Sequence, residues 1–287
     1  MIKKIKSLYH FLSPNFQSTH FEYKTDVKPR YGHGKKAHPA LLKIIDQNRD
    51  EYKQHLKNFL NYSAKFQEIQ LSGEEKNENE PTWNNGFLPG LDMVGIYGMI
   101  ASYQPASYIE IGSGNSTKVA RKAIQDNNLK TKITSIDPFP RANIDHLADQ
   151  VIREPFENLK DNQFILESLK ENDILFIDNS HRVFPNSDAT VFFMEILPFL
   201  KKGVIVHIHD IYLPYDYPQF MCDRFYNEQY LLAAFLLANP HKYHVVLPNF
   251  YISEDEDLKS EIEPMWKEGH LKDVEKHGGS FWVQIKA

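Results

Sequence analysis

Between residues 107 and 285 short apolar runs alternate with helical patterns, and that alternation restricts this part of the chain to an open α/β architecture. The candidate strands are Ser107–Ile111, Lys132–Ile136, Asp149–Arg153, Asp173–Ile177, Gly203–His209, Tyr243–Leu247 and Phe281–Ile285. Runs such as Ile174-Leu-Phe-Ile177 and Val204-Ile-Val206 are continuously apolar, the pattern of strands covered on both faces. Helical patterns fall between them at Ser116–Asn127, Asn158–Lys170, Ser187–Lys201 and Asn227–Ala238, with Gly203 and Asn239-Pro240 at helix-stop positions. Seven strands joined by right-handed crossovers predict a doubly wound α/β sheet, mostly parallel. The short approach His277-Gly-Gly-Ser280 suits an antiparallel last strand.

Upstream, apolar positions from Pro39 to Gln70 recur at helical spacing, and Pro39 suits a first helical turn. An acidic polar stretch, Ser72–Pro81, reads as a loop, and a short helix covers Leu91 to Ser102. The expected organisation is an N-terminal helical extension over residues 1–85 and an α/β domain over 86–287. The basic patch from Lys28 to Lys36 reads as a solvated face. With 33 basic and 38 acidic residues the chain lacks the strongly basic balance of a nucleic-acid-binding protein. Cys222 is the only cysteine, so neither an intrachain disulfide nor a cysteine-based zinc site can form. No apolar run reaches the ~18 residues of a membrane span, and the segment from Met1 lacks the apolar core of a signal peptide. The expectation is a cytoplasmic protein.

The first candidate strand runs into Glu110-Ile-Gly112-Ser113-Gly114-Asn-Ser-Thr117 and then a helix. Glycines there allow a sharp turn and close approach of a ligand, and the helix start offers free N–H groups. A dinucleotide fingerprint would place a third glycine at 117, where Thr117 stands. The second strand ends at Asp137, a carboxylate placed to accept both hydroxyls of a ribose. The plainer readings are a tight turn and a cap.

Glu110, Gly112, Ser113, Gly114 and Asp137 together resemble the first two motifs of class I S-adenosylmethionine-dependent methyltransferases, over about residues 90 to 287. The resemblance implies a Rossmann-like fold in which the glycine loop wraps the methionine part of the cofactor and Asp137 binds the ribose. Glu110 then helps hold the ligand amino group through the loop, and Arg153 and Glu154 lie where family members often contact the adenine.

Two later strand ends are dense in polar groups: Asp178-Asn-Ser-His181-Arg182 and His207-Ile-His209-Asp210. If these strands are neighbours, about 5 Å apart, Asp178, His209 and Asp210 can converge on a divalent ion. The alternative is a structural acid with hydrogen-bonded core histidines. His207, deeper in its strand, reads as structural. The same residues resemble the Asp-Gly-Ser-His and Glu-Asp pairs of metal-dependent macrolide sugar O-methyltransferases, and the segment also resembles uncharacterised bacterial methyltransferase-domain proteins. That resemblance implies metal ligands at Asp178, His209 and Asp210, with His181 as general base. Two departures stand out: Asn179 replaces a glycine and His209 a glutamate. The second weakens the preference for magnesium and admits manganese, iron or zinc.

The following segment, with Tyr212, Tyr215 and Asp216 and then Phe220, Arg224, Phe225, Tyr226, Glu228 and Gln229, combines aromatic faces with polar groups that suit a sugar or phenolic ring. Arg182, Tyr212, Tyr215 and Asp216 are the expected substrate residues, although ordinary loop packing would use the same tyrosines. The implied function is metal-assisted methyl transfer to a hydroxyl of a saccharide or related small molecule. The alternatives are a metal-independent methyltransferase acting on an amine or phenol and, more remotely, a nicotinamide-dependent oxidoreductase.

Overall fold

The computed structural model describes residues 9–15, 17–19, 21–140 and 142–287. A small parallel ladder pairs β1 (Gln70–Leu71) with β2 (Thr82–Trp83). The main sheet holds β3 (Ser107–Ile111), β4 (Lys132–Ile136), β5 (Gln150–Ile152), β6 (Ile174–Ile177), β7 (Ile205–Ile208), β8 (Tyr243–Pro248) and β9 (Phe281–Ile285). Their order is β5-β4-β3-β6-β7-β9-β8. All pairs are parallel except those of β9, which is antiparallel to both neighbours and lies between β7 and β8. The expected seven-stranded, mostly parallel sheet with an antiparallel last strand is present.

Register positions the site. Ile136, Ile111, Ile177 and Ile208 form one row across β4, β3, β6 and β7. The residues that follow them, Asp137, Gly112, Asp178 and His209, therefore leave the sheet side by side. The chain turns from β3 toward β4 on one side and lies against β6 on the other, and crevices at such switch points are where doubly wound sheets bind ligands.

The helices depart from the sequence reading where proline and asparagine interrupt them. The run expected from Pro39 to Gln70 is cut into Pro39–Ile45, a 3₁₀ turn at Asp46–Asn48, Arg49–Leu60 and Ser63–Glu68. The expected helix Ser187–Lys201 is α-helical only over Asp188–Val191, continues as a π turn over Phe192–Ile196, and ends in a 3₁₀ turn containing Pro198. The pattern expected over Asn158–Lys170 shrinks to Gln163–Ser168. Three short helices between Asn249 and Trp266, absent from the sequence reading, carry the chain from β8 back to β9. Leu41, Tyr52, Phe59, Phe66 and Trp83 share one continuous core with the strands of the main sheet. Among the described residues no helix is long and apolar enough to cross a membrane.

Candidate functional site

The turn after β3 needs its first glycine. Gly112 has φ +82°, and a Cβ there would stand 1.9 Å from the carbonyl oxygen of Asp178. Gly114 differs, because a Cβ there would meet nothing within 4 Å. That open space belongs to a cavity of about 140 Å³ lined by Ser113, Gly114, Asn115, Ser116 and Asp178 among others. Asp137 Oδ2 accepts from Ser113 N at 2.9 Å, and its Oδ1 accepts from Phe139 N at 2.8 Å, so this carboxylate already braces the glycine turn. Glu110 is fully buried and accepts from Thr117 Oγ1 at 2.5 Å and from Ser116 Oγ at 3.1 Å. Burial outweighs those hydroxyls and pushes its carboxyl up to about 8. Thr117, standing where a dinucleotide site would have glycine, thus ties the helix start to β3. Arg153 donates to the Asp137 carbonyl at 2.8 Å and pairs with Asp145.

Beyond the loop, β6 and β7 end in a cluster of two acids and two histidines. His209 Nδ1 lies 3.6 Å from Asp178 Oδ1 and 3.7 Å from Asp210 Oδ1, while its Nε2 lies 3.5 Å from Asp92 Oδ2. His181 Nε2 lies 3.5 Å from Asp178 Oδ1 and 3.4 Å from Asp210 Oδ2. These are charge contacts rather than full hydrogen bonds. The other ring nitrogen of His181, Nδ1, is 2.5 Å from Oε1 of the buried Glu228, at the start of the helix Glu228–Ala238. Burial opposes charge on both rings, but the surrounding carboxylates win: His181 is raised above the usual histidine value and His209 well above it. His207 behaves oppositely. Burial holds its pKa well below the usual value, and its ring stacks on Trp282 at 3.9 Å.

Two backbone conformations aim this cluster. His181 (φ +59°) and Asp210 (φ +54°) are both left-handed, a region that non-glycine residues enter rarely and often at functional sites. Asn179 Oδ1 accepts from His181 N at 2.8 Å, which supports the turn and gives a physical use to the asparagine found where the resemblance has glycine.

Asp92 escaped the sequence reading. It is wholly buried and accepts from Asn249 Nδ2, Ser280 Oγ and Gly279 N at 2.7–2.8 Å, which anchors the start of β9 behind His209. The available signal was a lone acid inside the apolar helix Gly90–Tyr103. Glu228 was legible only as one polar group of the substrate segment.

For a divalent ion, the donor types at Asp178, His209 and Asp210 fit, and both ring nitrogens of His209 are buried without a hydrogen-bond partner. Spacings of 3.6–3.7 Å are close to the ~3.4 Å between neighbouring donors of a tetrahedral site with ~2.1 Å bonds. Among the described residues, however, no group of three or more His, Cys, Asp or Glu side chains stands ready-made as a metal site.

A larger cavity of about 480 Å³ opens beside the cluster. Its lining includes Asp178, His181, Arg182, His209, Asp210 and Tyr212. Asp178 also lines the smaller cavity at Gly114, so it stands at the junction of the two. Tyr215 and Asp216 lie elsewhere. Asp216 accepts from the backbone N–H groups of Arg30 and Tyr31, and Tyr215 packs over Gly32 and against Phe250, so both pin the N-terminal segment.

A protein-family model described as a methyltransferase domain matches residues 109–211, from within β3 to just past His209-Asp210. Residues 109–211 thus carry the pattern of a methyltransferase domain. The chain is similar to the S-adenosylhomocysteine-bound methyltransferase PaMTH1 of Podospora anserina, at 17% identity and TM-score 0.41, covering 69% of this chain and 79% of that one. It is also similar to CmcI with Mg-SAM, at 13% identity and TM-score 0.37, covering 68% of this chain and 71% of that one. No curated protein matches the sequence.

Proposed function

We propose that the methyltransferase domain transfers a methyl group to a hydroxyl oxygen of a saccharide or related natural product, in the cavity beside Asp178. The observation that carries this reading is the placement of His181. Glu228 engages its Nδ1, while its Nε2 faces Asp178 and Asp210 in the wall of the larger cavity.

In this scheme the Gly112–Gly114 loop cradles the methionine portion of the cofactor and Asp137 accepts the ribose hydroxyls. Glu110 steadies the loop that meets the cofactor's amino group. His181 Nε2 takes the proton of the acceptor hydroxyl as that oxygen bonds to the methyl carbon and the bond from methyl carbon to sulfur breaks. Arg182 and Tyr212 line the acceptor space. Asp178, His209 and Asp210 would hold a divalent ion, which when bound lowers the pKa of a coordinated hydroxyl. A metal-free transfer to an amine or phenol is the second reading, favoured by the way both carboxylates already meet imidazoles.

Calorimetric titration with S-adenosylhomocysteine tests the cofactor half. Asp137→Ala should weaken binding at least tenfold, since each lost charge-assisted bond is worth about 1.5–3 kcal/mol. Unchanged affinity would remove Asp137 from the cofactor site. Labelled methyl transfer to a panel of saccharides, phenols and amines tests the acceptor half, and transfer to amines alone would overturn the hydroxyl assignment.

A further inference from the structure

The larger cavity contains two arginines that differ from three others in the protein. Arg49, Arg121 and Arg153 each pair with an aspartate. Arg182 and Arg224 do not: among the described residues neither forms a salt bridge, and both line the cavity. They are held together nonetheless. Arg182 Nε donates to the carbonyl of Arg224 at 3.0 Å, and its Nη1 donates to the carbonyl of Ser180 at 3.3 Å. Both guanidinium groups lie near the ring of Tyr226, with central carbons 5.3 Å and 4.5 Å from its centroid. That ring in turn packs 4.6 Å from the ring of His181.

Two guanidinium groups beside one aromatic ring repel each other, and the backbone carbonyls that Arg182 meets carry only partial charge. A carboxylate or phosphate would relieve that repulsion and fit the guanidinium fork with paired hydrogen bonds. We propose that Arg182 and Arg224 bind an anionic group of the acceptor, so that the substrate is an acidic saccharide, either a uronic acid or a sugar phosphate. The inference rests on the methyl-transfer reading of the same cavity and specifies its substrate class. Tyr226 links the two parts of the cavity: its ring packs against His181 and lies within 5.3 Å of both guanidinium groups, so a sugar whose anion meets the arginines can present a hydroxyl to His181 Nε2.

Ligand-observed NMR titration of the full chain loaded with S-adenosylhomocysteine tests this, using D-glucuronate, glucose 6-phosphate and D-glucose as probes. EDTA in the sample keeps a stray divalent ion from recruiting the anions. At least one anionic probe should bind ten times more tightly than glucose, and the anion that wins distinguishes carboxylate from phosphate. Arg182→Gln with Arg224→Gln should abolish that preference while leaving S-adenosylhomocysteine affinity intact, which also reports that the variant is folded. Arg224→Gln alone, at an exposed position, should lower the preference at least threefold. Equal binding of all three probes, or a preference that survives the double substitution, overturns the acidic-acceptor assignment alone. Failure of S-adenosylhomocysteine to bind the wild type overturns the methyl-transfer reading instead.

Discussion

Glu228 Oε1 lies 2.5 Å from His181 Nδ1, and both side chains are buried. A carboxylate in this position holds a proton on Nδ1, so that when the ring is neutral Nε2, turned toward Asp178 and Asp210, is the nitrogen that accepts, although those acids favour the protonated ring. Glu228→Gln keeps the shape but removes the charge that selects the tautomer. Its kcat should fall about 10–100-fold with the cofactor affinity unchanged, against about 10²–10⁴-fold for His181→Gln. Nitrogen-15 NMR of His181 in the protein without acceptor should show the tautomer mixture shifting in Glu228→Gln. An unaltered spectrum and rate would make the contact purely structural.

Asp92 is held by Asn249, Ser280 and Gly279. Complete burial opposes its charge, but His209 above all, with Asn249 and Ser280, keeps its pKa below the usual carboxylate value. Truncating one partner of such a buried charged network strands the others. Asp92→Ala should cost on the order of 3–5 kcal/mol and lower the thermal unfolding midpoint by several degrees. A cost under about 1 kcal/mol in chemical denaturation would show that the network reorganises freely.

Glu110 makes the stability of the cofactor-free protein fall with pH. Its folded pKa is raised by burial from 4.5 to about 8. Between those values the folded state holds a proton that the unfolded chain has released. The contribution is therefore full below 4.5 and lost as pH rises to 8, with a slope of at most about 1.4 kcal/mol per pH unit. Denaturant unfolding from pH 5 to 9 should show this decline in the wild type and a flatter profile in Glu110→Gln. Parallel profiles would mean that the hydroxyls of Thr117 and Ser116 keep the carboxylate ionised.

The strands were legible because each is an apolar run with clear ends, and the row Ile136, Ile111, Ile177 and Ile208 delivers Asp137, Gly112, Asp178 and His209 to one edge. The helices were less so, because periodicity does not register where Pro198 or Asn48 changes the hydrogen-bond pattern. Contacts between distant segments were the least accessible. Asp92 and His209 are 117 residues apart, and Glu228 and His181 are 47 apart; no local spacing announces either pair. Asp216 shows the converse, since a polar residue in a promising segment is used to hold Arg30 and Tyr31.

The metal reading can be decided without turnover. Asp178 and Asp210 present oxygens to His209 Nδ1 at 3.6 and 3.7 Å, and an ion at that point would replace two charge contacts with bonds. Behind the ring, Asp92 at 3.5 Å from Nε2 is placed as the outer carboxylate that metal-bound histidines commonly use. Chelator-stripped protein saturated with S-adenosylhomocysteine should bind one Mn²⁺ in calorimetry, with altered electron paramagnetic resonance of the ion. Asp210→Asn and His209→Ala should each weaken that binding at least tenfold, and Asp92→Asn should have a smaller effect of the same sign. His207→Phe, on the same strand but stacked on Trp282, should leave it unchanged. If millimolar Mn²⁺ produces no binding, or if Asp210→Asn binds as the wild type does, the four groups form a charge network without an ion. Deprotonation of the acceptor would then rest on His181 and Glu228 alone.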